Sequence, residues 1–143
     1  MTTMTPEDNP IRNPIVLIVE DDQRNADLLR VMLRLAGIQQ VILCRTGKDI
    51  APAVLPYPSV DLVLLDLALP EEDGFQILRR LRQWSLFKDS TIVATTALVM
   101  PQDVARAEEA GFDGFLGKPF HFDRFTGQIR RLLAGERVWE PRW

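Results

Sequence analysis

The chain has 143 residues, 46% of them hydrophobic, and a formal net charge of −3. This length suits one domain that buries enough surface to need neither disulfides nor a structural metal. The balanced charge provides no concentrated basic surface, so we expect no direct binding to nucleic acid. No apolar run reaches the ~18 residues of a membrane span, and the N-terminus lacks a signal-peptide pattern, so we expect no membrane partner and a cytoplasmic location.

Short apolar runs alternate along the chain with segments of helical periodicity. The first run, over residues 15–19, is typical of a strand that is buried on both faces. Further strands are predicted over 41–44, 62–65, 91–95 and 112–116, and helices over 25–36, 46–54, 75–84, 101–110 and 122–133. This alternation indicates βαβ units, so we predict an α/β fold with a doubly wound, five-stranded parallel sheet.

The predicted domain covers residues 14–134. The polar residues 1–13 are expected to form a flexible tail, and residues 135–143 a C-terminal tail in which Pro141 opposes a regular helix. The single cysteine, Cys44, lies in an apolar run and is expected to be a buried hydrophobic residue. The single histidine, His121, is expected at the surface or at the start of the last helix.

Polar side chains follow several predicted strands at the point where each strand ends. Glu20 and Asp21 follow the first strand, Asp66 the third, Thr96 the fourth and Lys118 the fifth. Neighbouring parallel strands lie about 5 Å apart, and sites in such sheets form outside the carboxyl ends of the strands. These groups are therefore expected to converge in one cleft.

The chemistry of this set points to phosphoryl transfer. Clustered carboxylates repel unless a cation lies among them, and Mg²⁺ suits carboxylate oxygens that are shared with a phosphate. A carboxylate can also act as the nucleophile toward phosphorus, while Lys118 and Thr96 can take up charge on the phosphoryl oxygens. Each residue alone has a simpler explanation, such as a helix N-cap for Asp22; the combination favours a phosphoacceptor site.

Four motifs carry a family resemblance: VLIVEDD at 16–22, LDLALP at 65–70 with DG at 73–74, ATTA at 94–97 and GKPF at 117–120. In this order and spacing the chain resembles the receiver domain of two-component response regulators, over roughly residues 15 to 133. The resemblance implies a flavodoxin-like (βα)5 fold with strand order 2-1-3-4-5. It also implies a phosphorylated switch that catalyses only its own phosphorylation and dephosphorylation, and therefore not an enzyme in the usual sense.

The resemblance also implies roles for the residues at the strand ends. Asp66 would be the phosphoacceptor, and Glu20 and Asp21 would hold Mg²⁺ together with Asp66 and the backbone carbonyl of Ala68. Lys118 would contact the phosphoryl group, and its bond to the following proline is usually cis in the family.

Two further residues would form the switch. Thr96 would supply the switch hydroxyl; Thr95 is its rival, and Thr96 is preferred because Ala97 follows it as in the family. Phe115 would be the switch aromatic, with an ordinary core residue as the alternative. The implied partners are a sensor histidine kinase or histidine phosphotransfer protein, and a downstream protein on the surface of the fourth helix, fifth strand and fifth helix.

Other functions remain as alternatives. The expected stand-alone receiver competes with a receiver fragment of a longer regulator or hybrid kinase. An aspartyl-phosphate hydrolase of similar topology would resemble a motif with a second aspartate two residues after the nucleophile, where Ala68 stands here. A flavin-binding protein is opposed by the carboxylates of the first βα loop, which would meet the flavin phosphate. Ala68 and Leu98 also depart from the polar residues that many receivers carry beside the site.

Overall fold

Strands and helices alternate along residues 13–141, the part of the chain that this computed structural model describes. The strands are β1 (Ile15–Val19), β2 (Gln40–Cys44), β3 (Leu62–Leu65), β4 (Thr91–Thr96), β5 (Gly114–Gly117) and β6 (Val138–Glu140). The α-helices are α1 (Gln23–Leu35), α2 (Ile50–Val54), α3 (Gly74–Arg82), α4 (Pro101–Ala110) and α5 (Phe122–Leu133). The predicted N-terminal tail lies outside the described residues, except for Asn13. Among the described helices, none is both long enough and apolar enough to cross a membrane.

All neighbouring strands are parallel, in the order β2-β1-β3-β4-β5-β6. The predicted α/β fold, with its doubly wound sheet and the order 2-1-3-4-5 for the first five strands, is therefore confirmed. Residues of β1 alternate between two apolar layers: Leu17 belongs to the layer that includes α2, α3 and α4, and Val16 and Ile18 to the layer that includes α1 and α5. Helices on both faces explain why the strand is apolar throughout.

Local sequence signals set the helix boundaries that place the site. The Asp22 carboxylate accepts hydrogen bonds from two backbone N–H groups in the first turn of α1, and the Asp73 carboxylate accepts one from the Gln76 N–H in the first turn of α3. Gly111 ends α4 with φ 96°, a left-handed conformation that favours glycine. The helix predicted over 46–54 is instead a 3₁₀ turn, Gly47–Asp49, followed by α2. Pro52 falls within the first turn of α2, where a missing N–H breaks no helical hydrogen bond.

The sixth strand is absent from the sequence prediction. β6 lies within residues 135–143, which were expected to form a tail, and it pairs with β5 so that Trp139 stands opposite Phe115. Three residues are too few for a periodic pattern, and charged residues and Pro141 border them. The five-stranded sheet is therefore corrected to six strands, because a segment with little strand signal pairs with an existing edge.

Cys44 is buried at the end of β2, as expected, with 3% of its surface exposed. Burial, assisted by the negative charge of Asp49, raises the pKa of its thiol from 9.0 to about 11. The native thiol therefore keeps its proton to a higher pH than the thiol of the unfolded chain.

We expect Cys44 to make the fold less stable at alkaline pH. Above about pH 9 the unfolded chain loses its thiol proton first, which favours unfolding by on the order of 1 kcal/mol at about pH 10. Urea unfolding of the wild type and of Cys44→Ala, each at about pH 8 and about pH 10, measures this effect. The wild type should lose more stability between the two pH values than Cys44→Ala, and equal losses would contradict the prediction.

Candidate functional site

Three carboxylates meet at the carboxyl ends of β1 and β3. These strands are neighbours, so Glu20 and Asp21, which follow β1, lie beside Asp66, which follows β3. One carboxylate oxygen from each residue lies within 4.8 Å of the other two. Glu20 and Asp66 are only 2% and 5% exposed, whereas Asp21 is half-buried. The structure thus brings together the three side chains that the strand ends suggested.

Lys118 lies between two of these carboxylates. Its ammonium nitrogen Nζ donates to Asp66 Oδ2 at 3.0 Å and to Glu20 Oε1 at 2.5 Å. The lysine side chain is 14% exposed, so both ion pairs are largely removed from water. Charged hydrogen bonds of this kind are stronger than neutral ones, and losing one partner leaves a buried charge unpaired.

The burial of this cluster changes its proton affinities. Burial, together with the charge of Asp66, raises the pKa of Glu20 despite the hydrogen bond from Lys118. Burial alone lowers the pKa of Lys118, but the hydrogen bond to Glu20 and the charge of Asp66 outweigh it, so the pKa is raised. The lysine therefore stays protonated, but its single positive charge does not balance the negative charge of the three carboxylates.

This imbalance fits a divalent cation. Three carboxylates face a single ammonium, and Asp21 is open enough to share a bound ion with solvent. Hard oxygen ligands with room for water are the environment that Mg²⁺ prefers. Asp66 Oδ1 accepts a hydrogen bond from the Ala68 backbone N–H at 3.0 Å, which orients the carboxylate. The contribution of the Ala68 carbonyl to a metal site stays a prediction.

The two candidate switch residues lie in the neighbouring strands β4 and β5. Thr96, at the end of β4, is fully buried, and its Oγ1 accepts a hydrogen bond from the Leu98 backbone N–H at 3.0 Å. Thr95 is also buried, but alternation along a strand points its side chain to the opposite face. Phe115 is completely buried in β5. Its ring centroid lies 5.5 Å from that of Trp139 in β6, a contact that no local sequence signal indicated.

A cleft of about 360 Å³ opens beside Lys118. Its lining comes from two loops and α1: Asn25, Leu28, Ala97, Lys118, Pro119 and Phe120. The Lys118–Pro119 peptide bond is cis. Of the four charged residues of the cluster, Lys118 is the one that lines this cleft.

Comparison with known proteins identifies the family. The model of the response regulator receiver domain matches residues 16–130, most of the chain. This chain belongs to the response regulator receiver family. Receiver domains interact with histidine kinases and downstream targets, and they typically bind Mg²⁺ through an acidic pocket. Neither the hydrolase nor the flavin-binding alternative is favoured.

Relatives of this receiver include both long and short proteins. The DNA-binding dual master transcriptional regulator RpaA of Synechocystis is 35% identical over 122 residues, which are 84% of this chain and 49% of RpaA. The polar-differentiation response regulator DivK of Brucella ovis is 29% identical over 119 residues, 83% of this chain and 95% of DivK. The chain thus spans about half the length of the transcriptional regulators it matches.

A solved structure agrees with this membership. The non-phosphorylated receiver domain of HemR from Leptospira biflexa is 30% identical and superposes with a TM-score of 0.73 over 85% of this chain and 95% of that one. The two proteins are therefore similar both in sequence and in fold.

We expect Lys118→Ala to destabilise the receiver and to make its stability depend more strongly on Mg²⁺ than that of the wild type. Removing the ammonium leaves Glu20 and Asp66 unpaired, at a cost of about 1 to 3 kcal/mol; protonation of Glu20 limits the loss. A bound divalent cation replaces the missing charge, so saturating Mg²⁺ should restore much of the stability. Urea unfolding with and without Mg²⁺ measures both effects.

Lys88→Ala is the matched control, because Lys88 is an exposed lysine after α3. It should change stability little and should not alter the response to Mg²⁺. A Lys118→Ala variant as stable as the wild type, or one equally destabilised with and without Mg²⁺, would contradict the prediction.

Proposed function

We propose that this receiver accepts a phosphoryl group on Asp66 from a sensor histidine kinase or histidine phosphotransfer protein, with Mg²⁺ held by Glu20, Asp21 and Asp66. The observation that carries the proposal is the pairing of buried Asp66 with Lys118 inside the carboxylate cluster. When bound, Mg²⁺ would neutralise charge on the phosphoryl oxygens. The receiver catalyses only its own phosphorylation and dephosphorylation.

The residues around Asp66 divide the work of the transfer. The carboxylate forms a bond to phosphorus while the phosphorus–nitrogen bond of the donor phosphohistidine breaks, and the imidazole leaves. The Ala68 N–H holds one carboxylate oxygen in place, which orients Asp66 for attack. Lys118 then pairs with an oxygen of the new phosphoryl group. Burial of the cluster excludes water, which strengthens each of these contacts.

Thr96 and Phe115 are proposed to carry the signal to a downstream protein on the surface of α4, β5 and α5. The Thr96 hydroxyl accepts from Leu98 N–H and retains a proton to donate. A phosphoryl oxygen on Asp66 would offer an acceptor that the unmodified site lacks. This differential contact is what allows phosphorylation to shift an equilibrium between two arrangements.

A second form of the same function is the receiver portion of a longer regulator or hybrid kinase. RpaA, which is about twice the length of the matched region, supports this form, whereas DivK, matched over 95% of its length, supports a stand-alone receiver. The size of the protein in its native cells, measured by immunoblot, separates the two. A single band near 16.3 kDa supports the stand-alone form, and a larger one the longer regulator.

We expect acetyl phosphate to phosphorylate the protein once, in a reaction that requires Mg²⁺. Intact-mass measurement should show one added phosphoryl group in the wild type and none in Asp66→Asn, because the amide is a poor nucleophile. Asp73→Asn is the matched control: Asp73 is a nearby aspartate that caps α3, and asparagine caps equally well. Labelling of Asp66→Asn, or labelling unaffected by EDTA, would refute the assignment.

We expect the phosphoryl group on Asp66 to be lost slowly. Hydrolysis requires water to attack phosphorus opposite the bond to Asp66, and it speeds up when a side chain orients that water. Ala68 and Leu98, which flank this approach in receivers, carry no group that can hold water. Ala68→Asn combined with Leu98→Glu should shorten the lifetime about 10-fold.

The decay of the phosphorylated protein after removal of excess donor measures this lifetime. Both positions are exposed, so the double variant should keep the fold of the wild type. Decay of the wild type within seconds, or slower decay of the double variant, would show that water positioning does not control the lifetime.

A further inference from the structure

The C-terminal strand β6 covers the surface to which the proposed function assigns the downstream protein. It pairs with β5, and side-chain contacts link this segment to α4 on one side and to α5 on the other. Arg137 forms an ion pair with Glu108 of α4 at 3.3 Å. Glu140 accepts hydrogen bonds from Gln128 at 2.9 Å and from Arg131 at 3.3 Å, both in α5. The segment therefore spans the face between α4 and α5.

β5 is shaped to receive this segment. It begins and ends with glycine, and a Cβ at either position would collide with the backbone of the C-terminal segment: at Gly114 with the Val138 carbonyl and at Gly117 with that of Pro141. Val138 itself is completely buried with apolar residues of α5. The segment can thus approach β5 closely because glycine, which has no side chain, occupies both ends of this strand.

Trp139 holds the switch aromatic. Its ring packs on Phe115, and the Arg137 guanidinium lies 4.5 Å from the centre of the indole. The indole N–H, however, is buried without an acceptor among residues 13–141, which weakens the docking of the strand. The Arg137–Glu108 ion pair is exposed and the Arg131–Glu140 pair is partly exposed, and such pairs add little. A strand of three residues held in this way can be released.

The contacts of β6 also depend on the elements that Thr96 controls. Thr96 binds the backbone of Leu98, and the neighbouring Val99 side chain lies against Gly117, where Pro141 also packs. The same loop leads into α4, whose Glu108 holds Arg137. A Thr96 hydroxyl that turns toward a phosphoryl group would therefore disturb the positions on which β6 is seated.

From these contacts we infer that residues 137–141 are an intramolecular occupant of the α4–β5–α5 surface that favours the unphosphorylated arrangement. Phosphorylation weakens the docking of β6, and its release opens the edge of β5 and Phe115 to the downstream protein. This inference rests on the proposed function of Asp66. Coupling between two sites is reciprocal, so the factor by which a phosphoryl group weakens the docking of β6 is also the factor by which docked β6 weakens binding of a phosphoryl group. A variant in which β6 docks poorly should therefore bind a phosphoryl group more tightly.

The test uses Trp139→Ala in the full chain and beryllofluoride with Mg²⁺ as the phosphoryl probe. Amide shifts of the loop after β3 report binding. Loss of one aromatic contact should tighten beryllofluoride binding about 5-fold. Trp84→Ala is the matched control, because Trp84 is a half-buried tryptophan that packs on Phe87 beyond α3, and its affinity should equal that of the wild type. Unchanged or weaker binding by Trp139→Ala overturns the inference.

A second measurement uses the wild type alone and does not depend on the folding of a variant. Hydrogen exchange of the β6 amides should be at least about 5-fold faster with beryllofluoride bound, while β1 amides stay protected. Equal protection of β6 in both states overturns the inference even when the loop after β3 reports binding. If that loop shows no beryllofluoride-dependent shift in the wild type, the proposed function of Asp66 itself fails.

Discussion

The site is organised by one buried ammonium between two buried carboxylates. Lys118 contacts Glu20 and Asp66 from the end of β5, two strands away from β3. Three strands must therefore end at the same level for the contact to form. Because parallel strands in register bring their carboxyl ends to one edge, the sheet provides this alignment, and the apolar layers on its two faces keep the strands in place.

The same interaction leaves an excess of negative charge in the site. A structural ion pair would match charge for charge, yet here three carboxylates face a single lysine. The raised pKa of Glu20 reflects this excess of negative charge in a buried place. The cluster thus lowers stability at the place where we propose that Mg²⁺ and a phosphoryl group bind, and perturbed pKa values of this kind are common at functional sites. Apolar packing around β1 and β3 supplies the stability that the cluster lacks.

The sequence was sufficient to predict those features that depend on local patterns. The bounds of β1 and β3 are those predicted, because short apolar runs bordered by polar residues indicate buried strands. Convergence of Glu20, Asp21, Asp66 and Lys118 followed from the strand ends alone. β6 could not be predicted in this way, since its evidence lies in partners distant along the chain: Phe115, the glycines of β5 and the side chains of α5. Likewise, no pattern shows that Thr96 is bound to the Leu98 N–H rather than to Asp66.

The position of β6 also determines which strand forms this edge of the sheet and which backbone groups are exposed there. Without β6, β5 would be the edge strand, and β5 is short, apolar and buried along its whole length. Exposed edge strands of that kind offer unpaired backbone groups to the strands of other chains and promote aggregation. With β6 in place, the edge strand is three residues long. It is flanked by Arg137, which carries a positive charge, and by Pro141, which has no backbone N–H to donate. While β6 is docked, the edge of the sheet therefore offers less to the strands of other chains than a bare β5 would.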